Sequence, residues 1–438
     1  MKIVFFQRGS KANGNILRAG PLGGTESAMI SMAEELARLG YEINVFCESE
    51  SLKINGVQYQ PWQSFEKYAL GEPFDVFICV RDLLLVLARR WAPIQIYFSP
   101  DAFDQPFVNS AINLQVELNG KFHNLGFFSL KHLHSHVDAI FCVGNWQKET
   151  FCQKFMIPEE EIFLAHNGVS FEFFGISPSL SDRKKQIVYA STPYRGLEYL
   201  VNYWPVIKEK VPEATCAVMS GMQIYGVDDS SDYKEYGTLY ERAKKVGINF
   251  LGAQTKERMA QIFAESRVYS YPNTFAETFC MAALEAQSCG VPVVSSDLGA
   301  MRERVASGVD GYLIAGHPKD EIYKRDFIDK VVNLLTNDEE WQLMSQRSKE
   351  KALDYDYSHL AMAWQNKFIA MKTLVKDHPK YYDVCASIEV SVMIEGISKK
   401  ISLTADVIAR YISESLLNYG FEQSASHFSE KGLISKNY

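Results

Sequence analysis

Two glutamates eight positions apart, Glu277 and Glu285, are the residues of this sequence best suited to do chemistry. Glu277 follows the apolar run 268–271 and a Pro-Asn turn, which predicts a strand that ends in a loop. From Thr278 onward the composition favours a helix, and Gly290 ends it. We therefore expect Glu277 at the mouth of a helix and Glu285 about two turns further along, at roughly 10 Å along the axis.

This arrangement suits a ligand that carries both phosphate and hydroxyl groups. The first turn of a helix has free amide N–H groups and a partial positive charge, and both attract phosphate. A carboxylate at the mouth can hold the hydroxyls of a sugar, and a carboxylate further along can hold those of a ribose. The pair therefore predicts a sugar nucleotide that lies across the end of the helix.

The same segment resembles the retaining glycosyltransferases of family 4, which have the GT-B fold. Their motif is Glu-x7-Glu, then a helix of small residues and Gly-x-Pro-Val-Val, which here runs from Gly290 to Val294. The resemblance covers roughly residues 1–375. It implies an α/β protein with two Rossmann-like, doubly wound domains that face a cleft. It also implies a nucleotide-diphosphate sugar as co-substrate, retention of the anomeric configuration, and neither a metal nor another cofactor.

The resemblance places two further loops at the donor diphosphate. Arg195 precedes Gly196 at the start of a helix, where the family usually has Lys-Gly, and a guanidinium can bind a diphosphate with two hydrogen bonds. The pair Gly23 and Gly24 follows the first strand, and its backbone can approach a ligand closely. A plain turn is the alternative for the two glycines, and a surface arginine is the alternative for Arg195. A second arginine, which the family often has upstream, is missing.

The resemblance also assigns the residues of the Glu-x7-Glu helix. The backbone amides of Thr278, Phe279 and Cys280 would face the diphosphate, and Glu285 would hold the ribose. The family often has Gly-Phe-Gly where this chain has Thr278, Phe279 and Cys280. Because amides are supplied by any residue type, we expect this departure to be tolerated.

Asp101 is the candidate on the acceptor side. It ends a strand of the first domain where many relatives have His-Asp, with the histidine near the transferred sugar. Pro100 stands in the histidine position, so no catalytic histidine is assigned. Asp101 would orient the acceptor hydroxyl or support positive charge at the anomeric carbon, or else it caps a following helix. The expected catalytic residues are Glu277, Asp101 and Arg195.

Three other functions remain open at this point. One is a non-catalytic protein of the same fold that binds a sugar nucleotide or a glycan, which Pro100 and the missing arginine slightly favour. A second is another GT-B enzyme, such as a sugar-nucleotide epimerase or a phosphorylase. A third is a scaffold role for the C-terminal segment, which could coexist with catalysis. For a transferase, the acceptor would be a glycan, a lipid-linked sugar or a protein.

Charge and metal-ligand spacing narrow the range of partners. The net charge of −8 argues against nucleic acid as the main partner. The cleft loops contain no Asp-x-Asp motif. His132, His134 and His136 alternate without a helical ligand spacing, so we interpret them as solvated or structural residues. The sequence therefore predicts no metal site.

The cysteines and the hydropathy of the sequence predict where in the cell the protein is located. The 8 cysteines include no Cys-x-x-Cys pair and lie mostly in apolar surroundings, which predicts buried free thiols in a reducing compartment, the cytoplasm. The apolar stretch 83–87 is flanked by arginines and is too short to span a bilayer. It either forms a buried amphipathic helix or makes a peripheral contact with a membrane surface.

Alternation of strand and helix patterns divides the 438 residues into two similar halves and an appended segment. The polar stretch 177–186 separates the halves. After residue 376 the pattern changes to a predicted strand, its hairpin partner and a helix, which we interpret as a cap or a homo-oligomerisation element. The predicted units are an acceptor domain at 1–175, a donor-nucleotide domain at 176–354, a helix returning to the first domain at 355–376, and a small α+β module at 377–438.

Overall fold

A computed structural model of the chain describes residues 1–105, 108, 113–118, 121–126, 136–374, 387–394, 397–418 and 420–426. Two parallel sheets, each covered by helices, face each other across a cleft, and this confirms the predicted GT-B fold. Six of the fourteen strands in the two sheets are buried along their whole length, which is why they are short, almost continuous apolar runs in the sequence.

The first half of the chain contains the larger sheet. The strands of this half of the chain are, in order, β1 (Lys2–Lys11), β2 (Glu42–Glu48), β3 (Leu52–Ile54), β4 (Val57–Pro61), β5 (Val76–Val80), β6 (Ile94–Ser99), β7 (Asn113–Leu118), β8 (Lys121–Gly126), β9 (Ala139–Cys142) and β10 (Ile162–Leu164). The order across the sheet is β10-β9-β6-β5-β1-β2-β4-β3, while β7 and β8 form a separate antiparallel hairpin. Every neighbouring pair in the large sheet is parallel except β3 and β4.

Helices cover both faces of this sheet. They are α1 (Gly14–Ala19), α2 (Gly24–Arg38), α3 (Phe65–Gly71), α4 (Leu83–Ala88), α5 (Asn145–Phe155) and α6 (Phe171–Phe174). Alternate residues of β1 enter different cores, with Ile3 and Phe5 on one face and Val4 and Phe6 on the other. The first domain is therefore doubly wound.

The second half repeats this architecture with six parallel strands. They are β11 (Gln186–Ala190), β12 (Thr215–Met219), β13 (Asn249–Phe250), β14 (Val268–Tyr271), β15 (Val293–Ser296) and β16 (Gly311–Ile314), in the order β13-β12-β11-β14-β15-β16. The helices are α7 (Leu197–Lys210), α8 (Asp229–Lys245), α9 (Lys256–Glu265), α10 (Met281–Ser288), α11 (Met301–Arg304), α12 (Glu321–Thr336) and α13 (Asp338–Leu353).

A long helix then returns to the first domain. Helix α14 (Tyr357–Lys372) begins where the Asp356 side chain accepts a hydrogen bond from the Ser358 N–H at 2.8 Å. Its Trp364 packs against Phe98 and Phe141 of the first sheet, with ring centroids 5.6 and 4.9 Å apart. The two domains are therefore joined by two chain crossings.

The leucine-rich segment 83–88 is helix α4, and it is a core element. Leu83, Leu84, Leu85 and Val86 are all buried under the first sheet. A membrane contact through these four side chains is therefore wrong for this fold, and the buried helix is the correct alternative. Searched over the described residues, the chain has no helix with the length and hydropathy needed to cross a membrane.

The appended segment extends the core of the first domain. It comprises the antiparallel pair β17 (Ser387–Ile394) and β18 (Ile397–Thr404), followed by α15 (Ala405–Asn418). Ile412, Leu416, Phe421 and Ala425 are buried in the same core as Phe6. The Glu66 carboxylate also accepts hydrogen bonds from the backbone N–H groups of residues 423 and 424, at 3.3 and 2.9 Å. These residues cover a face of the first sheet, as the cap interpretation of 377–438 expects, and homo-oligomerisation through this segment stays a prediction.

We expect Phe421→Ala to lower the free energy of unfolding by about 3–5 kcal/mol, because it removes a buried ring and leaves a cavity. Phe421 is 3% exposed, and its ring lies 6.5 Å from those of Phe65 and Trp91. Leu417→Ala is the matched control, since Leu417 is 53% exposed on α15. Urea unfolding measures both, and equal small effects would show that 412–425 does not contribute to the core.

Candidate active site

A cavity of about 520 Å³ lies between the carboxyl ends of the two sheets, where parallel α/β domains usually bind ligands. Its lining contains all but one of the residues assigned from the sequence. These are Gly24, Asp101, Arg195, Glu277, Thr278, Phe279, Cys280 and Glu285. Gly23 lies just outside the lining. The structure thus brings together residues separated by more than half of the chain, and their individual roles stay predictions.

The two glycines lie close to the ends of neighbouring side chains. A Cβ at Gly23 would lie 2.5 Å from a carboxylate oxygen of Glu26. A Cβ at Gly24 would lie 3.1 Å from the Met281 sulfur, at the first residue of α10. The start of α2 in the first domain therefore contacts the start of α10 in the second, across the cleft.

Hydrogen bonds also cross the cleft. The Thr278 hydroxyl donates to the Pro100 carbonyl at 2.8 Å. The Glu303 carboxylate accepts from the backbone N–H groups of Asn145 and Trp146 at 2.8 and 2.7 Å. These two N–H groups belong to the first turn of α5, where a carboxylate is favoured. Together the bonds keep the two walls of the cavity close to each other.

Helix α10 begins three residues later than the sequence predicts. Cys280 immediately precedes it with φ 64° and ψ 75°, in the left-handed region. Such a backbone conformation costs a non-glycine residue about 1–2 kcal/mol, so the departure from glycine at this position carries an energetic cost that the sequence analysis does not include. The glycine usual in the family at this position would avoid that cost. Glu285 accordingly lies four residues, about one turn, beyond Met281, and not two turns along the helix.

At the mouth of α10, the buried Glu277 forms an ion pair with the half-buried Arg195. Arg195 Nη1 lies 3.0 and 3.2 Å from the two carboxylate oxygens of Glu277. The Tyr271 hydroxyl donates a further hydrogen bond to Glu277, and Arg195 Nη2 donates to the Tyr225 hydroxyl at 3.0 Å. The guanidinium also lies over the Phe275 ring, 4.1 Å from its centroid. Both side chains are therefore held in place before any ligand arrives.

Asp101 is paired with an arginine that the sequence analysis missed. Arg81 Nε and Nη2 donate to the two carboxylate oxygens of Asp101 at 2.7 and 2.9 Å, and Nη1 lies 3.5 Å from Glu26. Residues 102–105 form a turn, so a helix cap is not the role of Asp101. Arg81 has φ 68°, a strained conformation that is frequent at functional sites. The sequence could have identified Arg81 as a site residue, because it directly follows β5 at the ligand-binding edge of a parallel sheet.

Lys256 was also missed, and it contacts Glu285. The lysine begins α9, and its ammonium donates a hydrogen bond to the Glu285 carboxylate inside the donor half of the cavity. Burial raises the pKa of Glu285, and the adjacent ammonium partly opposes this shift. No spacing rule relates Lys256 to the Glu-x7-Glu motif.

Other candidate groups lie away from the cavity or outside the described residues. The seven described cysteines are free thiols, and all except Cys152 are buried. His132 and His134 lie outside the described residues. Within the described ranges, no group of three or more His, Cys, Asp or Glu side chains is arranged to hold a metal ion.

Comparisons with known proteins agree with this geometry. A family model described as Glycosyltransferase Family 4 matches residues 22–173, and one described as Glycosyl transferases group 1 matches residues 184–337. The D-inositol 3-phosphate glycosyltransferase of Mycolicibacterium smegmatis is 22% identical over 400 residues, which are 82% of this chain and 89% of that protein. An uncharacterized glycosyltransferase of Methanocaldococcus jannaschii is 25% identical over 54% of this chain and 61% of its own.

Solved structures show the same fold at low sequence identity. Sucrose-phosphate synthase from Thermosynechococcus elongatus superposes with a TM-score of 0.67 at 13% identity, over 85% of this chain and 99% of that one. The Anabaena protein HepE in complex with UDP-glucose superposes with a TM-score of 0.63 at 16% identity, over 84% of this chain and 100% of that one.

Proposed function

Because this chain belongs to the family 4 glycosyltransferases of the GT-B fold, we propose that it transfers a sugar from a nucleotide-diphosphate sugar with retention of configuration and without a metal ion. The observation that carries this proposal is the pairing of Arg195 with Glu277 at the start of α10, inside the interdomain cavity. The Arg195 guanidinium suits the leaving diphosphate and the Glu277 carboxylate suits the sugar, and both side chains are already in position.

The leaving diphosphate is stabilised by Arg195 and by the free amides at the start of α10. Negative charge grows on the diphosphate as the glycosidic bond breaks, so a fixed guanidinium stabilises the transition state more than the bound donor. Gly24 lies close to Met281 at the start of α10, which supports binding of the leaving diphosphate by the glycine backbone from the opposite side. Cations and amides then supply what a metal ion supplies in other transferases.

The transferred sugar is held by Glu277 so that its anomeric carbon faces the first domain. Asp101 lies on that side of the cavity, and two hydrogen bonds from Arg81 fix the orientation of its carboxyl group. In this position Asp101 can orient an acceptor hydroxyl or support positive charge at the anomeric carbon. Pro100 beside it offers only its backbone carbonyl, which is already bonded to Thr278.

The acceptor is a glycan, a lipid-linked sugar or a protein, and the reaction takes place in the cytoplasm. Free buried thiols, of which the described part of the chain has six, are typical of a reducing compartment and support this location. HepE was solved with UDP-glucose, which makes uridine diphosphate sugars the first donors to test.

A thermal-shift panel with UDP, GDP, ADP, CMP and their sugar forms tests the proposal. A ligand that binds the folded state raises the melting temperature by mass action, so one nucleoside diphosphate and its sugar form should stand out. That donor should then be consumed by transfer or by slow transfer to water, at the same rate in EDTA. If no nucleotide binds, the proposed function is wrong, and loss of turnover in EDTA would refute metal independence alone.

A further inference from the structure

Arg304, the last residue of α11, carries a positive charge that is buried and unpaired. The residue is 1% exposed. Within the described part of the chain, Nε, Nη1 and Nη2 of its guanidinium all lack a hydrogen-bond acceptor. A buried charge without a partner costs free energy, because no protein group replaces the water that it loses on folding. Such a group calls for an explanation outside the packing of the fold.

The carboxylates near Arg304 are bonded to other groups. Glu303, the preceding residue, accepts hydrogen bonds from backbone N–H groups at the start of α5, across the cleft. Asp310 pairs with the ammonium of Lys351 at 3.1 Å. The same ammonium donates to the backbone carbonyl of Arg304 at 2.8 Å, so a second cation lies close by. The charge of Arg304 is therefore not balanced by these neighbours.

Two aromatic rings enclose the guanidinium. Its central carbon lies 4.2 Å from the centroid of the Phe279 ring and 4.1 Å from that of the Tyr355 ring. The faces of these rings attract a cation, but they offer no acceptors to the N–H groups in the guanidinium plane. Phe279 also lines the cavity, and its backbone N–H is one of those expected at the diphosphate. The unpaired charge thus lies directly behind the cavity wall at the start of α10.

The charge of Arg304 acts on groups at the start of α10. Burial raises the pKa of the Cys280 thiol, and the charges of Arg195 and Arg304 both oppose this rise. Cys280 lines the cavity and immediately precedes α10. An anion bound at these backbone amides would therefore also be attracted by Arg304, although Phe279 lies between them.

The cations that line the cavity are already balanced by carboxylates. In the described residues they are Arg81, Arg195 and Lys256, and each of them forms an ion pair within the lining. A diphosphate brings more than one negative charge into this cavity. Arg304 differs from the three lining cations because its charge has no partner until such an anion binds.

We propose that Arg304 strengthens binding of the donor diphosphate through its charge, which is unpaired in the free protein and is compensated when the diphosphate occupies the start of α10. This inference rests on the proposed function, because it takes that helix start to be the diphosphate site. At an effective dielectric constant of about 20, two unit charges about 10 Å apart change each other's binding on the order of 10-fold. Arg304 therefore adds affinity without touching the ligand.

Calorimetric titration with UDP and with UMP tests the role of the charge, or titration with the matching pair for the base that the thermal-shift panel selects. Arg304→Met should weaken UDP binding on the order of 10-fold and UMP binding by a smaller factor, because UMP lacks the second phosphate. Arg304→Lys keeps the charge and should keep most of the affinity for UDP. Arg302→Met is the matched control, since it removes the same charge from an exposed position two residues away and should change neither affinity.

The melting temperature of the free protein separates an electrostatic role from a structural one. Arg304→Met should melt at the native temperature or above it, because an apolar side chain of similar length removes the cost of a buried unpaired charge. Saturating UDP should then raise the melting temperature of this variant by less than that of the native protein. If the free variant melts at a lower temperature or does not fold, the ring contacts of Arg304 serve the fold and the inference fails.

The binding outcomes distinguish this inference from the proposed function. A native protein that binds no nucleoside diphosphate contradicts the proposed function itself. If the native protein binds UDP and Arg304→Met binds it equally well, the donor site stands and the role of Arg304 is wrong. Equal losses for UDP and UMP, or an Arg304→Lys variant as weak as Arg304→Met, would likewise show that the charge does not act on the diphosphate.

Discussion

Glu277→Gln should lower the rate of sugar transfer on the order of 100-fold while leaving the affinity for the free nucleoside diphosphate nearly unchanged. The carboxylate sits at the mouth of α10, where the transferred sugar is expected, and it is positioned by Arg195 and Tyr271. An amide has nearly the same shape, but an NH2 group replaces one of the two carboxylate oxygens, and this donor opposes the Arg195 guanidinium. The free nucleotide lacks the sugar that Glu277 would hold, so its binding is spared.

The structure also predicts a stability cost for this variant. Glu277 is 7% exposed, so losing a charged partner of Arg195 should lower the free energy of unfolding by about 1–3 kcal/mol. Glu241→Gln is the control, because Glu241 pairs with Lys244 at an exposed position. Initial rates and calorimetric titration with the nucleoside diphosphate measure the two effects. A variant that transfers sugar at the native rate would remove Glu277 from the reaction.

Arg195→Ala should reduce turnover by about 100-fold or more, and should weaken donor binding by a smaller factor. The guanidinium neutralises charge on the leaving diphosphate, and that charge is larger in the transition state than in the bound donor. The same substitution leaves Glu277 without its cation, which adds to the loss.

Arg195→Lys should recover part of the activity, because a lysine keeps the charge but loses the hydrogen bonds of Arg195 Nη2 to Tyr225 and of Nη1 to Glu277. Arg302→Ala is the matched control, since Arg302 is exposed and pairs with Asp297 on the same domain. A steady-state comparison of kcat and KM distinguishes the roles. Equal losses in donor binding and turnover would mean that Arg195 only anchors the ground state.

The sheet elements could be predicted because each is a short apolar run between turn residues. Strands β5 (Val76–Val80) and β6 (Ile94–Ser99) are examples of such runs. The start of α10 was misplaced because composition does not reveal the left-handed backbone at Cys280. The packing of Ile412, Leu416, Phe421 and Ala425 into the first domain could not be predicted from the sequence, since their partners near Phe6 are about 400 positions away.

The site could be predicted only where a motif marks it. Glu277, Glu285 and Arg195 belong to motifs with fixed spacing, and the structure places all three in one cavity. Arg81 and Lys256 belong to none, and each is identified by the carboxylate it contacts in space, Asp101 or Glu285. A sequence identifies site residues that belong to a recurrent motif. Residues that other helices or strands bring to the site are identified only from the three-dimensional structure.

The anomeric configuration of the product distinguishes retaining from inverting transfer of the sugar. With an α-linked nucleotide-diphosphate sugar as donor, proton NMR gives the configuration of the glycoside formed on an acceptor, and spectra from the first minutes of turnover give that of the sugar transferred to water, before this free sugar mutarotates. We expect the α-anomer to form first, at a rate that Glu277→Gln lowers on the order of 100-fold. A product that forms first as the β-anomer would contradict retention.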